Sequence, residues 1–137
     1  MPGLVRFGVT MEPELLARFD RLVARRGHNR SEALRDLVRG ALVEAEVEEP
    51  DREVVGTLTM VFDHHSGDLA EKLDSIQHEH CRQIVATTHV HLDPHTCLEV
   101  LLLRGPADSI RLIADALLGA KGVRHGRLVL TSTQAPP

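Results

Sequence analysis

His89, His91 and Cys97 are the residues whose types and spacing could do chemistry, and that chemistry is transition-metal binding; they lie in the run His89-Val90-His91-Leu92-Asp93-Pro94-His95-Thr96-Cys97. Alternate residues of a strand share a face, so His89 and His91 project together with Cα atoms about 7 Å apart, close enough to converge on one ion. Asp93-Pro94 breaks that strand, and Cys97 opens a second apolar run through Leu103. In an antiparallel hairpin with His91 opposite Cys97, the same register sets His89 opposite Glu99. Three ligands and a carboxylate then share one face. Glu99 is placed to accept a ring N–H and fix a histidine tautomer. The other face carries Val90, Leu92, Leu98, Val100 and Leu102. It reads as the core side, which leaves the metal face open to solvent or covered by another subunit.

Two imidazoles and one thiolate leave a coordination position open, and Gln77-His78-Glu79-His80-Cys81 offers His78 or His80 for it. Three nitrogens and one sulfur suit zinc if tetrahedral, and copper or nickel if square-planar. The chain has nine histidines, so a pair two apart arises easily by chance. A cysteine at the right parity and a glutamate in register raise this run above that background. His64, His65 and His95 read as surface residues.

The elements that must position these groups follow from periodicity. Residues 54–62 read as a strand, 68–77 as a helix, 83–92 and 97–104 as the hairpin, 106–119 as a second helix and 123–131 as a last strand. Leu112, Ile113, Ala116 and Leu117 form the expected buried side of that second helix. The order βαββαβ is that of a ferredoxin-like unit. Fold alone says little about function, so the site residues carry the functional argument.

Ahead of this body stands a different kind of segment. Arg6-Phe7-Gly8-Val9-Thr10 alternates, with Phe7, Val9 and Met11 on one face and Arg6, Gly8 and Thr10 on the other. Thr10 with Glu12-Pro13-Glu14 starts a helix whose Leu15, Leu16, Phe19, Leu22 and Val23 follow helical spacing and which ends near Gly27. Ser31 is the expected cap of a second helix that buries Ala33, Leu34, Leu37, Val38, Ala41 and Leu42. One short strand and two helices cannot close a core alone. The simplest partner for the strand is its copy in a second chain.

Charge divides the chain in the same place. Residues 1–40 carry eight arginines against five carboxylates, net +3, whereas residues 41–137 carry eight bases against fifteen acids, net −7. The acidic stretch from Glu44 to Glu53 is interrupted by Pro50 and reads as a helix end running into a linker, giving residues 1–48 as head, 49–53 as linker and 54–137 as body. With three Phe and no Trp or Tyr among 137 residues, the core must be built from Leu, Val, Ile and Ala, and oligomerisation or metal is expected to support it. Cys81 and Cys97 make no disulfide framework, the first residues lack an apolar signal region, and no run is long enough to span a bilayer. A reducing cytoplasm is the expected compartment.

Residues 4–43, with the signature Arg30-Ser31-Glu32-Ala33-Leu34-Arg35-Asp36, resemble the ribbon-helix-helix DNA-binding domains, in which strands of two protomers pair into a ribbon that enters the major groove. Together with Gln77-His78, His89-Val90-His91, Cys97-Leu98-Glu99 and Gly122-Val123-Arg124-His125-Gly126, residues 4–132 resemble the nickel-responsive transcriptional regulators. The resemblance implies an α+β chain, a ribbon-helix-helix head followed by the ferredoxin-like body. It also implies one Ni(II) per subunit, bound square-planar by His89, His91 and Cys97 of one subunit and His78 of another, with Gln77 and Glu99 supporting the ligands. Arg6, Gly8 and Thr10 take the positions that face the bases, in a homotetramer that binds an inverted-repeat operator and represses it when metal-loaded. Glu32 and Asp36 take positions that help hold a second, potassium-like cation, with backbone carbonyls near Leu118, Ala120 and Val123. Gly8 departs from the hydroxyl or larger side chain common there, the turn at residues 27–30 is a residue shorter than in some members, and Ser66-Gly67 lacks basic residues that some members place on phosphates. His125 lies in a matching segment without a chemical role.

Two other classes compete on the residues alone. A zinc hydrolase would use three protein ligands, an open water position and Glu99 or Glu79 as base. It leaves the basic head unexplained. A ribbon-helix-helix regulator answering to another metal or a small metabolite is the nearer alternative, and an antitoxin is a further one, although its tail would be disordered and this body is periodic.

Overall fold

The computed structural model describes residues 3–134. They form two compact units, the first ending at Gly40 and the second beginning at Ala41.

In the first unit, α1 (Pro13–Arg26) opens with proline at its first position, where the missing N–H is not needed. It ends at Gly27, whose φ of 67° is left-handed; the Gly27 N–H donates to the Ala24 carbonyl and the His28 N–H to that of Val23. This is a Schellman stop. α2 (Arg30–Glu46) starts two residues earlier than the serine cap predicts. Asn29 is the cap: its Oδ1 accepts from the Glu32 N–H at 2.9 Å while its own N–H donates to Glu32 Oε2 at 3.1 Å. The reciprocal pair is a capping box with asparagine in place of serine, which leaves Ser31 within the first turn. A two-pronged pairing of Arg30 with Asp20, both contacts 2.8 Å, ties the start of α2 to α1.

Within one chain residues 3–12 form no strand, and the partner expected for Arg6–Thr10 is a copy in a second chain. A strand exists only by its ladder, and one short segment has no partner here. Among the described residues of this unit only Val23 and Ala33 are buried, while Leu37 and Val38, expected inside, stand half exposed and Phe7 is 70% exposed.

The second unit holds a four-stranded antiparallel sheet in the order β2-β3-β1-β4, made of β1 (Glu53–Asp63), β2 (Ile84–His91), β3 (Thr96–Pro106) and β4 (Val123–Ser132). With α3 (Leu69–Glu79) and α4 (Ala107–Leu118) it gives the βαββαβ ferredoxin-like arrangement expected. Val54, Leu58, Met60 and Phe62 of β1 and Leu101 and Leu103 of β3 point to one face, and Leu69, Leu73, Ile110, Ile113 and Leu117 of the helices close over it. α4 is rotated from the sequence reading: Ile110, Ile113, Ala114 and Leu117 face the core, Leu112 is 66% exposed and Ala116 is exposed. The apolar stripe is wider than one face, so periodicity alone did not fix which edge is buried.

The segment expected as a linker is an ordered turn. The carbonyls of Arg52 and Pro50 accept from the Ala107 and Asp108 N–H groups at 2.8 and 3.0 Å. They satisfy donors that α4 would otherwise leave unpaired, since Pro106 offers no side-chain cap. Arg111 reinforces the turn by donating to the Val47 carbonyl at 2.7 Å.

Candidate metal centre

The hairpin has the register the sequence predicts: His91 pairs with Cys97 and His89 with Glu99. A shift between Ile84 and Ala86 leaves Val85 unpaired and resets the strand so that both histidines share a face with Cys97. The face itself is the reverse of the expected one. Cys97 and Glu99 lie on the helix-covered side, both buried, whereas Val90, Leu92 and Leu102 point to the uncovered side and are about half exposed. Both crossovers of a βαββαβ unit take one hand, so both helices land on one face and the other is left bare. The candidate metal residues therefore occupy the end of the core face, beside α3, and the apolar face is the one that lacks a cover within one chain.

Cys97 Sγ lies 3.4 Å from His91 Nδ1 and 3.0 Å from His64 Nδ1. His64, read from sequence as a surface residue, is half buried, and its ligand atom lies within 4.8 Å of those of His91 and Cys97. It reaches the site because β1 ends at Asp63, directly opposite Thr96 on the neighbouring strand. The available signal was its position just past a strand that pairs with the hairpin, and that pairing was not legible locally. His89 stands with its ring centre 5.0 Å from that of His91 and packs edge-on against Phe62.

Glu99 and Gln77, the expected supporting groups, touch each other. Gln77 Nε2 donates to Glu99 Oε1 at 2.8 Å, and Glu99 Oε2 lies 3.7 Å from His89 Nδ1. One carboxylate thus faces both α3 and a candidate ligand. His78, on the last turn of α3, is exposed and is not part of the grouping around Cys97 within one chain. Arg124, quoted from sequence only as part of a matching segment, braces the mouth of the site: it donates to Thr96 Oγ1 at 3.4 Å and lies 3.6 Å from Asp63 Oδ2. The glycines beside it have physical reasons. Gly122 has φ 107°, and a Cβ on Gly126 would meet the Leu118 side chain and come within 2.7 Å of the Thr59 carbonyl. His125 pairs with Val61 and is exposed.

Burial pushes the Cys97 thiol above its ordinary range, and the nearby Asp63, Asp93 and Glu99 push it further. Without a cation the sulfur keeps its proton, and a bound cation must displace it. Burial, with His65, His91 and His89 nearby, pulls His64 below the ordinary histidine range against the opposing charge of Asp63. It stays neutral with a lone pair to give. Imidazole nitrogens beside one buried sulfur, with a carboxylate behind them, fit a borderline divalent ion such as Ni(II).

Of the groups expected to act elsewhere, Arg6, Gly8 and Thr10 all lie in the exposed segment before α1. Glu32 accepts from the Asn29 N–H, and Asp36 lies 3.0 Å from Arg39 and 3.6 Å from His28. No helix among the described residues is long and apolar enough to cross a membrane.

Known proteins place these features. Residues 55–131 match the family described as NikR C terminal nickel binding domain, and residues 5–45 match the ribbon-helix-helix protein, copG family. Provisionally named nickel-responsive regulators from Geobacter sp. (strain M21) and Trichlorobacter lovleyi are 55% and 53% identical, over 97% and 96% of this chain and 96% of each relative. One from Solibacter usitatus is 52% identical over 98% of both chains. Among solved structures, the uncharacterized protein TM1266 from Thermotoga maritima superposes with a TM-score of 0.52 at 18% identity, covering 58% of this chain and 98% of its own, a likeness of fold alone. The chain belongs to the nickel-responsive regulator family, a family of transcription regulators and not of enzymes.

Proposed function

We propose that this chain is a nickel-dependent transcriptional repressor that binds an inverted-repeat operator when loaded with Ni(II) and controls genes of nickel uptake or nickel enzymes. The observation that carries the reading is the hairpin register, which sets His91 opposite Cys97 and His89 opposite Glu99 on one face. His89, His91 and Cys97 would hold one ion per subunit, and His78 of another subunit would complete the set. Gln77 and Glu99 would hold the His89 ring in the tautomer that ligates. Because copper binds such donors more tightly than nickel, selectivity would rest on the coordination shape the ligands impose and not on raw affinity.

In this reading residues 1–48 act as the head, 49–53 as the connection and 54–137 as the body. The unmatched stretch between residues 45 and 55 supports that division. Two heads pair their strands, Arg6 and Thr10 reach base edges, and helix N-termini hold phosphates. Gly8 brings no side chain to the groove, so its contribution is close backbone approach. The assembly is a homotetramer, a dimer of dimers, and the bare sheet face with Val90, Leu102 and Val129 supports burial against another copy. Ligation across subunits would favour the arrangement in which both head pairs reach one face of the DNA. By linkage, operator DNA should tighten nickel binding. A potassium-like cation at Glu32 and Asp36 would require both carboxylates to exchange their present partners.

One observation favours a second reading, a response to another metal. His64 brings a further nitrogen to Cys97 within one chain, so a tetrahedral ion could be held with less help from a second subunit.

Titrating apo-protein with nickel tests the proposal, with Cys97→Ala alongside. A thiolate-to-nickel absorption band that saturates at one ion per chain and is absent in the variant is expected, together with nickel-dependent retention of operator DNA. A chain that shows no such band, or retains DNA equally without metal, is not a nickel-dependent repressor.

A further inference from the structure

The candidate metal centre sits at the end of a ladder. Asp63 and Thr96 face each other as the last pair between β1 and β3, and along the chain His64 follows Asp63 and Cys97 follows Thr96. A ladder opens from its end first. Opening here would separate Cys97 Sγ from His64 Nδ1, now 3.0 Å away, and loosen its placement 3.4 Å from His91 Nδ1. The hairpin side of the rung is secured by its own turn: Thr96 takes the Leu92 N–H at 2.9 Å and gives its own N–H to Asp93 Oδ1 at 2.8 Å. The side towards β1 is closed by a residue of a third strand.

That residue is Arg124, and β4 is shaped to deliver it. β1 and β4 lose register between Val61 and Phe62: His125 faces Val61 and Val123 faces Phe62, which makes Arg124 the extra residue of a bulge. A bulge takes one side chain out of the alternation and re-aims it. Here the guanidinium spans the last rung, with Nη1 3.4 Å from Thr96 Oγ1 and Nη2 3.6 Å from Asp63 Oδ2. Asp63 is held from its other side as well, since Oδ1 accepts the His65 N–H at 2.9 Å. A planar fork reaches both strands at once, which a lysine ammonium cannot. Both contacts are long and the side chain is half exposed, so they add little to stability. What they supply is position.

We propose that Arg124 is a positioning residue of the metal centre: by closing the last rung it fixes the shape in which Cys97 meets its imidazoles, and so favours nickel over zinc. Zinc has no geometric preference of its own from its d electrons, whereas a planar nickel site depends on the shape its ligands impose. The proposal rests on the nickel reading of the site.

The test uses the full chain with nickel chloride and zinc chloride, each titrated in competition with a coloured chelator. Arg124→Gln should weaken nickel about tenfold, the low end of what losing a group behind a ligand costs. Zinc should weaken by no more than about twofold, because it accepts the relaxed shape. The thiolate-to-nickel band should shift and broaden, while the denaturation midpoint of the metal-free chain stays where it was. Thr96→Val should reproduce part of the nickel loss, and the double variant should lose no more than Arg124→Gln alone, because Thr96 acts through the guanidinium. Equal losses for the two metals, an unchanged nickel affinity and band, or losses that add in the double variant overturn the proposal. An original chain that binds zinc but never shows the nickel band sinks the nickel reading and this proposal with it. A band that is present in the original chain and identical in Arg124→Gln sinks the proposal alone.

Discussion

The two units of this chain differ in what a single copy can finish. The body pairs all four strands internally and fills one face of its sheet with Leu58, Phe62, Leu101, Ile113 and Leu117. Among the described residues up to Gly40, the other unit buries only Val23 and Ala33, and it leaves Leu4, Val5, Phe7 and Val9 exposed on a segment with no ladder. One unit closes a core on its own contacts, and the other does not. If the head pairs with a second copy, as proposed, concentration and assembly should act on the head before they act on the body.

The largest break in that contrast should come from the body core. Leu101→Ala removes a fully buried side chain from β3, at the pair with Leu58. The loss of transfer energy and the cavity left behind should destabilise the body by about 3 kcal/mol, read as a lower midpoint in chemical denaturation. The shift should be the same at low and high protein concentration if the body closes within one chain. A shift that shrinks as concentration rises would mean that its core is finished by a neighbour.

Much of the body was legible in the sequence because its signals are local and redundant. Alternation marked the strands, the proline and aspartate marked the hairpin turn, and one parity argument placed His91 opposite Cys97 and His89 opposite Glu99. The side of the sheet was not legible. Val90 and Leu102 are as apolar as Leu101 and Leu103, so residue type cannot say which face the helices cover; the handedness of the crossovers decides it. His64 was missed for a related reason, since it is brought to Cys97 by pairing between strands more than thirty residues apart. In the head, Asn29 outranked Ser31 as a cap because Glu32 stands three residues after the asparagine, where it can answer the Asn29 N–H.

A middle-sized effect should sharpen the contrast from the other side. Phe7→Ala takes a large apolar group from a segment that is 70% exposed at that residue, so a single copy has little to lose. If the strand pairs with its copy and buries the ring, the variant should lose about 2 kcal/mol per ring of head association. The expected result is head unfolding that moves to higher protein concentration, with weaker operator retention and an unchanged nickel titration. Retention equal to that of the original chain would show that the exposed ring has no partner.

The smallest effect concerns a feature the head completes without help. Asn29 and Glu32 exchange hydrogen bonds across the first turn of α2, entirely within one copy. Asn29→Ala removes the side-chain acceptor and should cost the head about 1 kcal/mol. Asn29→Ser should restore most of it, because a hydroxyl can take the same N–H. Since the cap needs no second copy, its loss should appear as the same increment at every protein concentration, unlike that of Phe7→Ala. Amide hydrogen exchange at Glu32 and Ala33 reads it directly, with faster exchange in the alanine variant and recovery in the serine one. If exchange there does not change, the first turn of α2 is held by the Arg30 pairing with Asp20 and not by its cap.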